Sequence, residues 1–170
     1  ETNEKNEIRL YKCNKFPDSW SFYKTIIKNV SAADTLIFPY KEKWCLLTNI
    51  CSSEIGDHNS ELHLFFSNNP ISDNWTACKS NPIIFDSQKA RNGGLFTYRN
   101  DIFRINQIHD KAHYGSAFGI NRILNLDENG YLEENIHKIF PNFFNNLNGT
   151  HHFSYNDSFI VFDHWKNKRS

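Results

Sequence analysis

The sequence lacks the signatures of a transmembrane helix, of a nucleotide-binding loop and of the commonest hydrolases. No run reaches about 18 apolar residues, which excludes an ordinary helical membrane span. There is no GxGxxG, no P-loop, no Gly-x-Ser-x-Gly elbow and no HExxH. Charge of one sign is also missing: 19 Lys and Arg balance 19 Asp and Glu, for a net charge of +0. Nucleic acid and anionic membrane surfaces are therefore not expected as partners. Cys13, Cys45, Cys51 and Cys78 form no CxxC pair and no cluster with histidine. That pattern suits free thiols in a reducing compartment, which favours the cytoplasm slightly over secretion. Four Asn-x-Ser/Thr sequons, beginning at Asn29, Asn74, Asn148 and Asn156, argue weakly the other way. Methionine is absent, and the polar start Glu1–Glu7 shows no leader; both suit a processed chain, a trimmed chain or a fragment.

Aromatic residues are plentiful: Phe 15, Tyr 7 and Trp 4 in 170 residues. They suit sheet packing and sugar-binding surfaces equally. Strand signals dominate, with alternation in Ile8–Tyr11 and Glu61–Phe66 and an apolar run at Thr35–Phe38. Leu95–Tyr98 and Ile102–Ile105 flank the polar Arg99-Asn100-Asp101, which predicts a hairpin. Only Glu133–Phe140 offers a helical alternative, one or two turns before Pro141 or else a strand and a loop.

An imperfect repeat of roughly 55 residues organises these strands. Glu7–Tyr11, Trp20, Ala32–Phe38 and Trp44 recur as Glu61–Phe65, Trp75, Ala90–Phe96 and Phe103. A degenerate third copy runs from Ala117–Ile120 through Tyr131 to Thr150–Phe153 and Phe159–Val161. Each early tryptophan follows a proline turn and is expected to pack between sheets. The period predicts an all-β, propeller-type fold in a single domain over 1–170, with about three blades and the first strand of each around one channel.

A pattern runs through Ala32-Ala33-Asp34 leading to Phe38, Glu61-Leu62-His63-Leu64-Phe65, Asn81-Pro82-Ile83 and Tyr114-Gly115, and its most specific parts are Ala90-Arg91-Asn92-Gly93-Gly94 with Arg104-Ile105-Asn106-Gln107, and Gly149-Thr150-His151-His152-Phe153. From about Ile8 to about Asp163 this pattern resembles the propeller domain at the amino end of plant glucosamine inositolphosphorylceramide transferases, itself similar to glycoside hydrolase family 43. Related domains occur in bacterial and viral proteins, some beside formyltransferase-like or glycosyltransferase domains. The resemblance implies a five-bladed, furanosidase-like propeller of which this chain holds the C-terminal part. It also implies a carbohydrate or glycoconjugate partner, and a neighbouring transferase domain or a completing chain.

In that family three acids act, each on the first strand of a different blade. The resemblance places Asp34 at one of them, the residue that tunes the acid and contacts the sugar, so Asp34 is the catalytic candidate. At the general-acid position stands Arg91, which stays protonated and cannot exchange the catalytic proton. Arg91 is either a ligand clamp or a salt-bridge partner of Asp34 or Asp86. An accessory sugar-binding role is thus set against an active glycosidase and an assembly protein.

Arg104, Gln107 and His109 follow; alternation puts Arg104 and Asn106 on one face, as a hydroxyl-recognition set or a solvated sheet face. His151 is the substrate-binding candidate of the third copy. Alternation predicts that His151 and His152 point to opposite faces, so no metal site is expected, and no motif calls for a cofactor. Asp163-His164-Trp165 either edges the channel or forms a polar terminal loop.

Overall fold

A computed structural model describes residues 3–109 and 115–166. Its strands are β1 (Glu7–Lys15), β2 (Ser19–Lys28), β3 (Ala32–Tyr40), β4 (Lys43–Ile50), β5 (Glu61–Ser67), β6 (Thr76–Ala77), β7 (Ile84–Phe85), β8 (Asn92–Tyr98), β9 (Asp101–Ile108), β10 (Ala117–Asp127), β11 (Gly130–Ile139), β12 (Phe153–Tyr155) and β13 (Ile160–Phe162). Among the described residues the only helical element is a 3-10 turn at Asn3–Lys5, so the chain is all-β as expected. Glu133–Ile139 lies within β11 rather than in helical turns. Tyr114 of the Tyr114-Gly115 pair lies outside the described residues.

Among the described residues every strand pairing is antiparallel, and nearly every neighbour is the next strand in sequence. β1 and β2 form one hairpin; β3-β4-β5-β6 form a meander, with β7 also paired to β5. β8-β9-β10-β11 form a second meander, and β12-β13 a second hairpin. The tight turns follow from local chemistry. Tyr98 pairs with Asp101, and the two residues between them, Arg99 (φ 48°) and Asn100 (φ 70°), take the left-handed pair that a two-residue hairpin requires. At the turn between β12 and β13, Asn156 Oδ1 accepts from the amides of Ser158 and Phe159.

Strand correspondences reproduce the repeat. β1 aligns with β5 and β10, β3 with β8 and β12, and β4 with β9 and β13. The β8 strand lies against both β3 and β12, so the three first strands are neighbours. Two apolar layers separate the sheets. Ile8, Ile26, Ala32 and Leu46 join the first hairpin to the first meander. Leu47, Leu62, Leu64, Phe66, Ile123 and Leu126 belong to the layer that joins the two meanders.

Two glycines let β12 approach β8. A Cβ at Gly93 would sit 2.4 Å from the His151 carbonyl oxygen, and one at Gly94 (φ 138°) 2.2 Å from that of Phe153. Only glycine fits there. The tryptophans differ from expectation: Trp75 packs against the first layer, but Trp20 is half exposed. Their shared role is local, because each indole Nε1 donates 2.8 Å to a carbonyl three residues back, Pro17 and Ser72 respectively.

Candidate functional site

Asp34 sits at an irregularity of β3, where the register with β4 shifts between Ala33 and Leu36. Its φ of 49° is left-handed, a conformation that Asp tolerates better than most residues at a cost of about 1 kcal/mol. The neighbouring Thr35 and Thr48 hydroxyls meet at 2.8 Å and secure the bulge. The Asp34 carboxylate crosses to the second meander, where Oδ2 accepts from Arg91 Nε at 2.5 Å and Gln107 Nε2 at 3.0 Å. Arg91 Nη1 donates to the His58 carbonyl at 3.1 Å. The Asp34 and Arg91 side chains keep 23% and 14% of their exposure. The structure thus pairs Arg91 with Asp34, not with Asp86.

Asn92 ties the same two sheets beneath this pair. Its side-chain nitrogen donates to the Asp34 carbonyl at 2.9 Å, and its amide donates to Asn49 Oδ1 at 2.8 Å. Gln107 is fully buried and also donates to the Asn92 carbonyl at 2.6 Å. Asn92 fell within the marked Ala90–Gly94 segment but without a role, and nothing in the isolated sequence distinguished Asn49 from the many surface asparagines.

Arg104 lies behind the pair, with no exposed side-chain surface. Its guanidinium forks onto Glu133, Nε to Oε2 at 2.8 Å and Nη2 to Oε1 at 2.6 Å. The remaining N–H groups donate to Asn92 Oδ1 and to the carbonyls of Ala90 and Lys89. Burial opposes its charge, but Glu133 and Tyr131 hold its pKa above the usual guanidinium range. Its sheet face is buried rather than solvated: an amide ladder runs Asn106–Asn121–Asn135 across β9, β10 and β11. Arg104 therefore braces the Lys89–Asn92 segment that carries Arg91.

His151 precedes β12 and joins the cluster from the third first strand. Its Nδ1 lies against Asp163 Oδ2, while Asp163 Oδ1 accepts from the amides of His151 (2.9 Å) and His152 (2.7 Å). The expectation of opposite faces fails, because both residues lie in the loop before the strand and their rings are 4.5 Å apart. One donor of each of His151, His152 and Asp163 lies within 4.8 Å of the others. Loop-pinning hydrogen bonds and the contact with His151 already engage both carboxylate oxygens in that group.

His109 completes the site. The Gly115 amide donates to its Nδ1 at 3.0 Å, which leaves the proton of the neutral ring on Nε2. Burial lowers its pKa, Arg91 and His151 lower it further, and Asp57 and Asp34 partly offset them. Burial likewise lowers the pKa of His151, with Asp163 opposing and His152 reinforcing the shift. The cluster is a hydrogen-bonding surface built from one ion pair and two imidazoles biased toward neutrality.

The N-terminal domain model of glucosamine inositolphosphorylceramide transferase 1 matches residues 1–158, so the chain belongs to that domain family. The japonica rice protein of that name is 32% identical over 136 residues, which are 78% of this chain and 18% of the relative. The Arabidopsis thaliana protein of the same name is 29% identical over 136 residues, 78% of this chain and 17% of its own length. The matched region thus spans less than a fifth of these relatives. No solved structure matches the chain significantly. No helix among the described residues is long and apolar enough to cross a membrane.

Proposed function

We propose that this domain is an accessory, glycan-binding part of a glycan-modifying protein, with its binding surface at Asp34, Arg91, Gln107 and His151. Membership of the transferase N-terminal family supports the glycan class. The observation that carries the accessory role is the Arg91–Asp34 pair at 2.5 Å. A guanidinium occupies the place of a general acid and engages the carboxylate that the family resemblance makes catalytic. Arg104 serves the surface from behind. A second reading, an active glycosidase with Asp34 as a catalytic acid, draws on the left-handed backbone at Asp34, since backbone strain gathers at active sites.

The fold reading is a propeller. Two sequential four-strand meanders, the adjacent first strands β3, β8 and β12, and the two-stranded hairpins at either end support it. A completing chain or a neighbouring transferase domain is the proposed partner, in keeping with relatives several times longer than the match.

The test is a glycan array followed by calorimetry with methyl glucosaminide and myo-inositol 1-phosphate, compounds suggested by the relatives' name. Wild type is expected to bind, and Arg91→Ala to lose about 1.5–3 kcal/mol, roughly ten- to 150-fold. No binding by wild type, or unchanged binding by Arg91→Ala, refutes the site. Turnover of aryl glycosides that vanishes in Asp34→Asn would favour the enzyme.

A further inference from the structure

We propose that the two outer hairpins, β1-β2 and β12-β13, are the two halves of one blade, and that a second copy of this chain joins them by pairing its β1 edge with β13. The inference rests on the propeller reading above and names the completing chain as a second copy.

The repeat shows what each half lacks. Each meander runs through four strands in order, β3 to β6 and β8 to β11. By the strand correspondences, β12-β13 is a first and second strand without a third and fourth. The β1-β2 hairpin is a third and fourth strand without a first and second. The second strands of the meanders, β4 and β9, pair on both edges. Among the described residues β13 pairs only with β12, and β1 only with β2. Leu46 and Leu47 of β4 are fully buried, whereas Ile160 and Val161 of β13 remain 62% and 64% exposed. An open apolar edge of this kind is a pairing site.

Shape and charge both select the partner. Phe65 and Trp75 pack into the apolar layer that holds Ile8 and Ile26 of the preceding hairpin. Their counterparts in the repeat, Tyr11 and Trp20, are half exposed, with no preceding sheet against them among the described residues. Beside β13 lies an apolar groove of about 320 Å³, with Phe118, Ile120 and Ile139 on one side and Phe153, Ile160 and Phe162 on the other. Tyr11 and Trp20 of a second copy fill this groove when its β1 takes the third-strand place. Residues 7–28 carry five Lys and Arg against two acids, while residues 151–163 carry two Asp and no Lys or Arg. Two β13 edges therefore repel, as do two β1 edges, and unlike edges attract. Each copy holds two whole blades and two halves, so two copies close a ring of six, within the four to eight that propellers use.

The β4–β5 pairing sets the register. Glu7–Tyr11 corresponds to Glu61–Phe65, so Cys13 corresponds to Ser67, which pairs with Trp44. Trp44 is the second residue after its two-residue turn, and Ile160 holds that place in β13. Cys13 of one copy thus stands opposite Ile160 of the other, about 5 Å away between Cα atoms and within disulfide reach.

Sedimentation and cross-linking of the full chain test this. Wild type should sediment as a dimer at micromolar concentration. Val161→Lys, which sets a cation against the basic β1, should be a monomer. Mild oxidation of Ile160→Cys should give a cross-linked dimer, and adding Cys13→Ser should abolish the cross-link. A monomeric wild type overturns the proposal. If X-ray scattering of that monomer matches the structure, the propeller reading stands; if it does not, both fall. A dimer that Val161→Lys leaves intact, a dimer of Ile160→Cys without the cross-link, a cross-link that persists without Cys13, or open-ended oligomers also overturn it. If either variant does not fold, the other decides the matter together with wild type.

Discussion

Removing Glu133 should expose how much of the fold depends on one buried charge. Arg104 has no exposed side-chain surface and Glu133 only 11%. Glu133→Ala removes both arms of the fork and the acceptor of Tyr131 Oη at 2.5 Å, leaving a guanidinium stranded among sheets. Breaking such a pair from one side costs about 3–5 kcal/mol, against a total stability of about 5–15 kcal/mol. At about 2–4 °C per kcal/mol for a domain of this size, the melting temperature should fall by roughly 6–20 °C. Replacing both partners, Arg104→Met with Glu133→Met, removes the stranded charge. It does not restore wild type, because Lys89 O, Ala90 O and Asn92 Oδ1 lose their donor, at about 1–3 kcal/mol for each acceptor left unsatisfied. Urea unfolding of wild type, Arg104→Met, Glu133→Met and the double variant gives a double-mutant cycle. The expectation is strong non-additivity, with the double variant well above the sum of the two singles. A loss under about 1 kcal/mol for Glu133→Ala, or simple additivity, would refute the account of Arg104 as the brace behind Arg91.

Other perturbations probe separate parts of the same frame. Gly94→Ala adds a Cβ 2.2 Å from the Phe153 carbonyl at a φ of 138°; a loss of about 3 kcal/mol or more is expected in thermal unfolding, with β12 displaced from β8. Asp34→Asn should keep the left-handed turn but lose the charged partner of Arg91, costing about 1–3 kcal/mol in urea unfolding. His109 and His151 both have pKa values below the ordinary 6.5 in the folded state, so the unfolded chain takes up their protons first as pH falls. Their contribution to stability is therefore full above about pH 6.5 and lost as pH drops through the lowered values; a His151→Gln variant should flatten that slope in pH-dependent melting. Burial pushes the Cys45 thiol up to about 12, so timed alkylation with mass spectrometry should label the half-buried Cys13 and Cys51 first and Cys45 only on unfolding.

What the sequence disclosed depended on periodicity, and what it hid depended on pairing across sheets. The repeat placed Asp34, Arg91 and His151 at corresponding points of three units, and β3, β8 and β12 bring those points together. Alternation within a strand said that Arg104 and Asn106 share a face, but not whether water or another strand covers it. The cover is the Gln88–Ala90 segment, whose carbonyls accept from Arg104 and Asn106, while Asn121 and Glu133 of the adjoining strands β10 and β11 answer the same polar groups from the side. Alternation also failed at His151-His152, because β12 begins only at Phe153 and the loop before it obeys no two-residue period. Arg91 is where the two kinds of information meet. Its place in the repeat marked the position of a missing acid, while its partner, Asp34, lies 57 residues away on another sheet. With the charge at that position supplied by arginine, the carboxylate beside it is held as an acceptor for Arg91 and Gln107. Restoring an acid with Arg91→Glu would set two carboxylates against each other over the same gap, where like charges disfavour joint ionisation. Raised Asp34 or Glu titration in that variant, read by carboxyl NMR, would show that the guanidinium alone separates this arrangement from an acid pair. Titration unchanged from wild type would place the distinction elsewhere in the fold.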